Sequence, residues 1–268
     1  MGELAEAFSP DSNVPPLTGD LAGTVLVLHY QDGAATEYRF LSASRVAFTS
    51  SGPVAAAVPE GECGYFAVSP RPGIYLVDMV TSGAPPTAVS LVLDRDRGIA
   101  TRLTAVLPQS PDCGESPAAR AARGDELTSV SAEFASAAIG APFTAATPRH
   151  ETTSELVGRR VEYTYSPTER YEHIYLNDRF YTWHCLSGSE KGLADTDRCH
   201  YLKLDDELYL FVWREKIIPT LGLVIADFKA MRTMGKIFGH GSAGPADFLV
   251  GARARLENVT IHGEAVGP

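Results

Sequence analysis

The chain has 268 residues, 44% hydrophobic and 21% charged, which is the balance of an ordinary globular protein with room for one large domain or two small ones. A net charge of −10 and a pI near 5.2, with no basic stripe, argue against a nucleic-acid partner. No apolar run approaches the roughly 20 residues with which a helix crosses a bilayer, so no membrane partner is expected.

In chain order, Met1-Gly2-Glu3-Leu4-Ala5-Glu6 is acidic and lacks the layout of a signal peptide, and Glu6 breaks the myristoylation pattern. Residues 1–20 read as an N-terminal segment, with a short helix over Leu4–Phe8 broken by Pro10, Pro15 and Pro16. Residues 21–107 read as short strands: Thr24–Tyr30, Glu37–Leu41, Arg45–Thr49, Gly64–Val68, Ile74–Val80, Ala88–Leu93 and Ile99–Val106. Turn signals such as Gln31-Asp32-Gly33 and Pro70-Arg71-Pro72-Gly73 separate them, which indicates an all-β barrel or sandwich.

Residues 108–154 are rich in Ala, Ser, Pro and Thr and read as a linker. Within it Val130, Phe134 and Ala138 recur four apart, which predicts a helix over Leu127–Ile139. From residue 155 the strand pattern resumes and runs almost to residue 268. Four cysteines in a chain of this length make no disulfide framework, and without an export signal they imply free thiols and a cytoplasmic location.

The two strand-rich parts look like a repeat. Leu21-Ala22-Gly23 matches Leu156-Val157-Gly158, Tyr30 matches Tyr165, Cys63-Gly64-Tyr65 matches Cys199-His200-Tyr201, and Ile74-Tyr75 matches Leu208-Tyr209, at offsets between 134 and 136. The parts are not equivalent: Tyr163 aligns with Leu28, and Glu215 with Thr81, or with Asp78 if the strand slips. The second part also holds seven of the eleven tyrosines and both tryptophans. Any chemistry therefore belongs to the second barrel.

There, Val161, Tyr163 and Tyr165 alternate with Arg160, Glu162 and Thr164, and Tyr209, Phe211, Trp213 and Glu215 alternate in the same way, so each set shares a strand face. A carboxylate ending an aromatic row is poorly solvated and needs a partner, which the two phenols offer. The plain alternative is that the rings are barrel core and Glu215 is a solvated strand end.

With its two related halves, the chain resembles the MoaF family, which pairs two calycin-like β-barrels. The resemblance implies two tandem antiparallel calycin/lipocalin-like barrels joined by a helix-containing linker. No glycine-rich phosphate cradle leads into a helix, so the molybdenum-cofactor association of the family's name is not carried over. The second half is also similar to bacterial phenolic acid decarboxylases, through Leu156-Val157-Gly158, Tyr163-Thr164-Tyr165, Tyr171-Glu172, Tyr181-Thr182-Trp183-His184, Trp213-Arg214-Glu215 and Gly235-Lys236-Ile237-Phe238.

That second likeness implies a small barrel that holds an aromatic acid without metal or organic cofactor. Paired tyrosines, a glutamate and an arginine would bind the substrate's polar ends and manage its protons. The arginine's place falls on Leu193, after Gly192; the nearest cations are Lys191 and Arg198, and a lysine does not replace a bidentate fork.

The expected site is then Glu215, Tyr163 and Tyr165 as catalytic groups, with Tyr171, His173, Tyr175, Trp213, Trp183, His184 and Lys191 contacting substrate. His173 shares a strand face with Tyr171 and Tyr175 and is of a type that can titrate near neutral pH, although a lone histidine between tyrosines is more often a hydrogen-bonded strand residue. His184-Cys185 and Cys199-His200 each turn neighbouring side chains to opposite faces of a strand, so no metal site is expected. The acidic turn Asp205-Asp206-Glu207 reads as solvated. The leading expectation is a cofactor-independent acid/base enzyme acting on a small aromatic or conjugated ligand. A decarboxylase-like lyase comes first and an isomerase or cyclase second; the competing class is a non-catalytic lipocalin-like carrier. The first barrel would be structural or would mediate a homodimer.

Overall fold

A computed structural model describes residues 12–52, 60–109, 115–241 and 244–261. The first sheet contains β1 (Val25–Tyr30), β2 (Ala35–Phe40), β3 (Arg45–Ser51), β4 (Glu60–Gly64), β5 (Phe66–Arg71), β6 (Ile74–Thr81), β7 (Thr87–Asp94), β8 (Ile99–Val106) and β9 (Ser131–Ile139). Its order, β4-β3-β2-β1-β9-β8-β7-β6-β5, is a nearly closed antiparallel barrel. The second contains β10 (Glu151–Thr152), β11 (Arg159–Thr164), β12 (Arg170–Tyr175), β13 (Phe180–Ser187), β14 (Ala194–Asp205), β15 (Leu208–Glu215), β16 (Thr220–Asp227), β17 (Arg232–Gly241) and β18 (Gly244–Val259). Its order is β10-β14-β13-β12-β11-β18-β17-β16-β15, and pairing of β14 with β15 closes it.

The repeat is visible in this topology. Strands β6 and β15 correspond at an offset of 134, which aligns Glu215 with Thr81 rather than Asp78. The twelve-residue β14 serves two neighbours, β13 with its first half and β15 with its second. In the first barrel the same stretch is broken at Tyr65 into β4 and β5, and that barrel stays short of closure. The N-terminal helix expected over Leu4–Phe8 lies outside the described residues.

The helix expected in the connector is overturned. Leu127–Ile139 is not a helix: Ser131–Ile139 is β9, which pairs with β8 from Val106↔Ser131 to Ile99↔Ala138 and with β1 at Leu28↔Ile139. The first barrel therefore extends through Ile139 rather than ending at 107. Ala, Ser and Phe at these positions satisfy periods of four and of two equally well. The open edges of β1 and β8 decide for the strand, because their unpaired backbone groups need a partner. Ala135, Ala137 and Ile139 face the barrel interior, while Ala132 and Phe134 face the other barrel. The linker does hold a helix, α1 (Pro117–Arg123), capped by Ser116, whose hydroxyl accepts from the Ala119 N–H, and ended by Gly124 in the left-handed region.

The barrels pack through the outer faces of β5–β8 and β14–β17, where Leu76, Val92 and Leu103 meet Leu210, Val212, Leu223 and Phe238. Strands β6 and β15 are thus covered on both sides, which is why they read as continuous apolar runs. Fully buried in this interface, Lys236 pairs with Asp78 at 2.7 Å and with Asp247 at 3.3 Å, and the Ser90 hydroxyl donates to Asp78. At its edge Arg71 clamps Asp227 with two bonds of 2.8 and 3.0 Å and reaches Asp205 and the Asp206 carbonyl. The acidic turn is therefore docked on the first barrel and is not simply solvated; Arg159 holds Glu207 and Lys229 holds Asp206.

Candidate functional site

The second barrel is filled from its middle by rings. Phe211 stacks on Trp213 and on Tyr201, with centroids 5.2 and 5.6 Å apart, and Tyr175 and Tyr181 meet Phe211 edge-on. All come from inward positions of β12–β15, as the two-residue period requires. The plug stops short of one end of the barrel. There a cavity of about 60 Å³ lies between Tyr165, Tyr171, His173, Tyr181, Trp183 and Trp213, with Glu190, Glu215, Thr220 and Ile237 completing its wall. Trp183, Glu190, Glu215 and Ile237 remain half-buried and form its open side.

Glu215 is inward-facing, as its strand position implies. The Trp213 indole N–H donates to its Oε1 at 3.1 Å. Burial among the rings pushes its carboxyl up to about 8; the charge of nearby Asp197 adds to the rise, and the indole bond opposes it. Asp197 is itself buried and raised by desolvation. It accepts from the Trp183 indole at 3.1 Å and is steadied by Lys216, which also binds Asp195. The Tyr171 hydroxyl donates to Glu190 at 2.9 Å. Three carboxyl groups at this end of the barrel are thus each held by an aromatic donor. Burial holds the Tyr165 and Tyr171 phenols well above the ordinary tyrosine value, so both stay protonated donors.

His173 lies in an aromatic box, with ring centroids 4.7 Å from Tyr163, 5.1 Å from Tyr181 and 5.9 Å from Trp213. Its Nδ1 is buried without a partner among the described residues. Desolvation lowers its pKa to about 3, which favours the strand-residue alternative over a histidine titrating near neutral pH.

The other expected residues divide plainly. Tyr165, Tyr171, His173, Trp183, Trp213 and Glu215 come together on one wall. Tyr163 and Tyr175 do not: their hydroxyls bond each other at 2.7 Å within the core, away from the cavity lining. His184 faces outward, bonded to Glu172 at 2.8 Å, and Lys191 and Leu193 are exposed in the β13–β14 hairpin. Arg198 lies on the outer side of β14, where Glu126 of the linker bridges it to Arg214. Cys185 and Cys199 are buried inward, while His184 and His200 lie on the other face.

Four lining residues, Tyr181, Glu190, Thr220 and Ile237, were not among the expected site residues. Tyr181 carried a signal, since it alternates with Trp183 on β13. Thr220 sits opposite Glu215 across the β15–β16 pair and Ile237 is inward on β17, both foreseeable only once the pairing is known. Glu190 arrives from a hairpin with no period to read. Gly222 is a fifth, indirect case: it pairs with Trp213, and a Cβ there would stand 2.0 Å from the indole. Its missing side chain lets Trp213 lie flat over β16 and present its N–H to Glu215.

In the first barrel Thr81 stands where the second has Glu215. Among known proteins, residues 1–109 match the MoaF N-terminal domain and residues 150–260 the MoaF C-terminal domain. Protein MoaF of Klebsiella aerogenes is 46% identical over 198 residues, 72% of this chain and 74% of that protein. A solved chain of Burkholderia vietnamiensis, provisionally assigned as a beta-lactamase, matches at 17% identity with a TM-score of 0.33 over 38% of this chain and 94% of its own; a likeness this low carries no argument. Two family models, one in each barrel, and a relative of this identity over most of both chains establish that the protein belongs to the MoaF family.

Proposed function

We propose that the second barrel is a cofactor-independent acid/base site for a small aromatic or conjugated molecule. The observation that carries this is the Glu215 carboxyl, raised to about 8 at the wall of the aromatic cavity. At neutral pH it keeps its proton and can give it to a bound substrate, then take one back, which is the property a general acid/base needs. Tyr165 and Tyr171 supply hydroxyls that orient a polar atom, and the surrounding rings exclude water. His173, being neutral, serves as wall or hydrogen-bond partner through its unpaired Nδ1.

Neither arginine nor lysine lines the cavity among the described residues, which weighs against a substrate carboxylate. Proton relocation, as in an isomerase or cyclase, therefore ranks ahead of a decarboxylase-like lyase reaction. The second reading, a non-catalytic carrier, is favoured by one feature: the wall is mostly rings, and a carrier needs only their affinity. The test is incubation with hydroxycinnamates and aromatic amines followed by absorbance, alongside Tyr165→Phe and Glu215→Gln. An enzyme loses turnover in both variants while its fold persists. A protein that turns over nothing yet binds, and loses only affinity in these variants, is a carrier.

A further inference from the structure

A second pocket, of about 250 Å³, lies between the connector that follows α1 and the outer side of β14 and β15, and it shares no lining residue with the aromatic cavity. Four cations line it in a chain whose net charge is −10: Arg179 from the β12–β13 turn, Arg198 on β14, Arg214 on β15 and Lys216 just beyond. Three acids line it as well, and two of them are committed elsewhere. Asp125 is bound by Arg123 at 2.8 Å, and Asp197 accepts from the Trp183 indole and pairs with Lys216. Lys216 is spent in turn on Asp195, Asp197 and the Thr196 carbonyl.

Three guanidiniums are then left with the one carboxylate of Glu126. Its Oε1 accepts from Arg198 Nε at 2.7 Å and its Oε2 lies 2.7 Å from Arg214 Nη2. Arg179 is exposed and enters no ion pair among the described residues. Arg214 is 94% buried, and its Nε has no partner among them. Burial opposes the charge of Glu126, yet the bond from Arg198 and the charge of Arg214 hold its carboxyl below the ordinary value. The arrangement is that of an oxyanion site filled by a group of the chain itself, since guanidinium forks match carboxylate and phosphate geometry.

Glu126 is not needed to dock the connector. The Thr128 hydroxyl donates to the Glu215 carbonyl at 2.9 Å, Arg214 Nη1 to the Val130 carbonyl at 3.0 Å and Arg120 Nε to the Glu126 carbonyl at 2.6 Å. The Glu126 side chain is also 41% exposed and sits on a stretch, residues 124–130, without helix or strand, so it can swing aside at little cost. We infer that this pocket binds a small oxyanion, a carboxylate or phosphate group, which takes the place of the Glu126 carboxylate on Arg198 and Arg214 and is met by Arg179 as a third cation. The ring of Phe180, 5.7 Å from the Arg198 guanidinium, flanks the pocket and offers contact to the apolar part of an organic acid.

The experiment is isothermal titration calorimetry of the full chain with inorganic phosphate and with malonate, in chloride buffer of matched ionic strength. At least one is expected to bind with a Kd of about 1 mM or tighter, and the tighter of the two tells whether a phosphoryl or a carboxylate group is the better fit. Arg179→Gln, at an exposed turn, should weaken that binding about ten-fold, the worth of one charge-assisted contact. Glu126→Gln removes the competing carboxylate and should tighten it by a similar factor. No binding of either anion up to about 20 mM, an unchanged affinity in Arg179→Gln, or an unchanged or weaker affinity in Glu126→Gln would each overturn the inference. Turnover of an aromatic substrate, or its absence, bears only on the other cavity.

Discussion

Glu215→Gln is the most direct probe of the cavity's electrostatics, because glutamine keeps the shape and the acceptor for the Trp213 indole while losing the titration. In the folded protein burial lifts the Glu215 carboxyl from 4.5 to about 8. The native state then holds the proton more tightly than the unfolded chain. The group's contribution to stability is full below about pH 4.5, falls as pH rises towards 8, and is lost above that. At about 1.36 kcal/mol per pH unit, the whole rise sets an upper bound near 5 kcal/mol. For Glu215 to keep its proton at neutral pH the rise must exceed about 2.5 pH units, so the expected loss lies between about 3 and 5 kcal/mol. Urea unfolding of wild type and variant across pH 5 to about 9 measures it. The two proteins should converge near pH 5, and the variant should be the more stable by that margin at pH 9. A constant difference across the range would mean that Glu215 ionises as an ordinary carboxyl, and the acid/base proposal would lose its support.

Further expectations follow from the same geometry. Tyr163→Phe should cost about 1 kcal/mol of stability through the lost bond to Tyr175 and leave ligand binding unchanged, whereas Tyr165→Phe should weaken binding; titration and urea unfolding of both variants separate the two. Gly222→Ala should displace the Trp213 ring, visible as a shifted tryptophan emission, and abolish ligand binding in a protein with unchanged far-ultraviolet circular dichroism. Lys236→Met strands Asp78 in the barrel interface and should destabilise by about 3–5 kcal/mol, while adding Asp78→Asn should recover most of the loss; a single variant as stable as wild type would deny the pair its role in holding the barrels together. His173 should remain neutral down to about pH 4, and its imidazole resonances should show no titration between pH 5 and 8.

Reading the strands required only local information. A two-residue period tells which side chains share a face, so the rows Tyr163–Tyr165 and Tyr209–Glu215 and the inward carboxyl were legible in the sequence, as was the repeat with its asymmetry at Glu215 and Thr81. Depth along the barrel was not legible. Tyr163 and Tyr165 lie on one face, yet one is sealed against Tyr175 and the other borders the cavity, because the ring plug ends between them. Residues 131–139 carried two compatible periods, and only the open edges of β1 and β8 made them a strand. Glu190 reaches Tyr171 from a hairpin, and Gly222 shapes the cavity by the side chain it lacks; neither has a pattern to read. The sequence alone determined which faces exist and what chemistry they carry, since side-chain alternation is a property of one strand. Tertiary structure decided where the rings stop, which carboxyls lose their water and how the two barrels join, since each of these depends on residues far apart in the chain packing against one another.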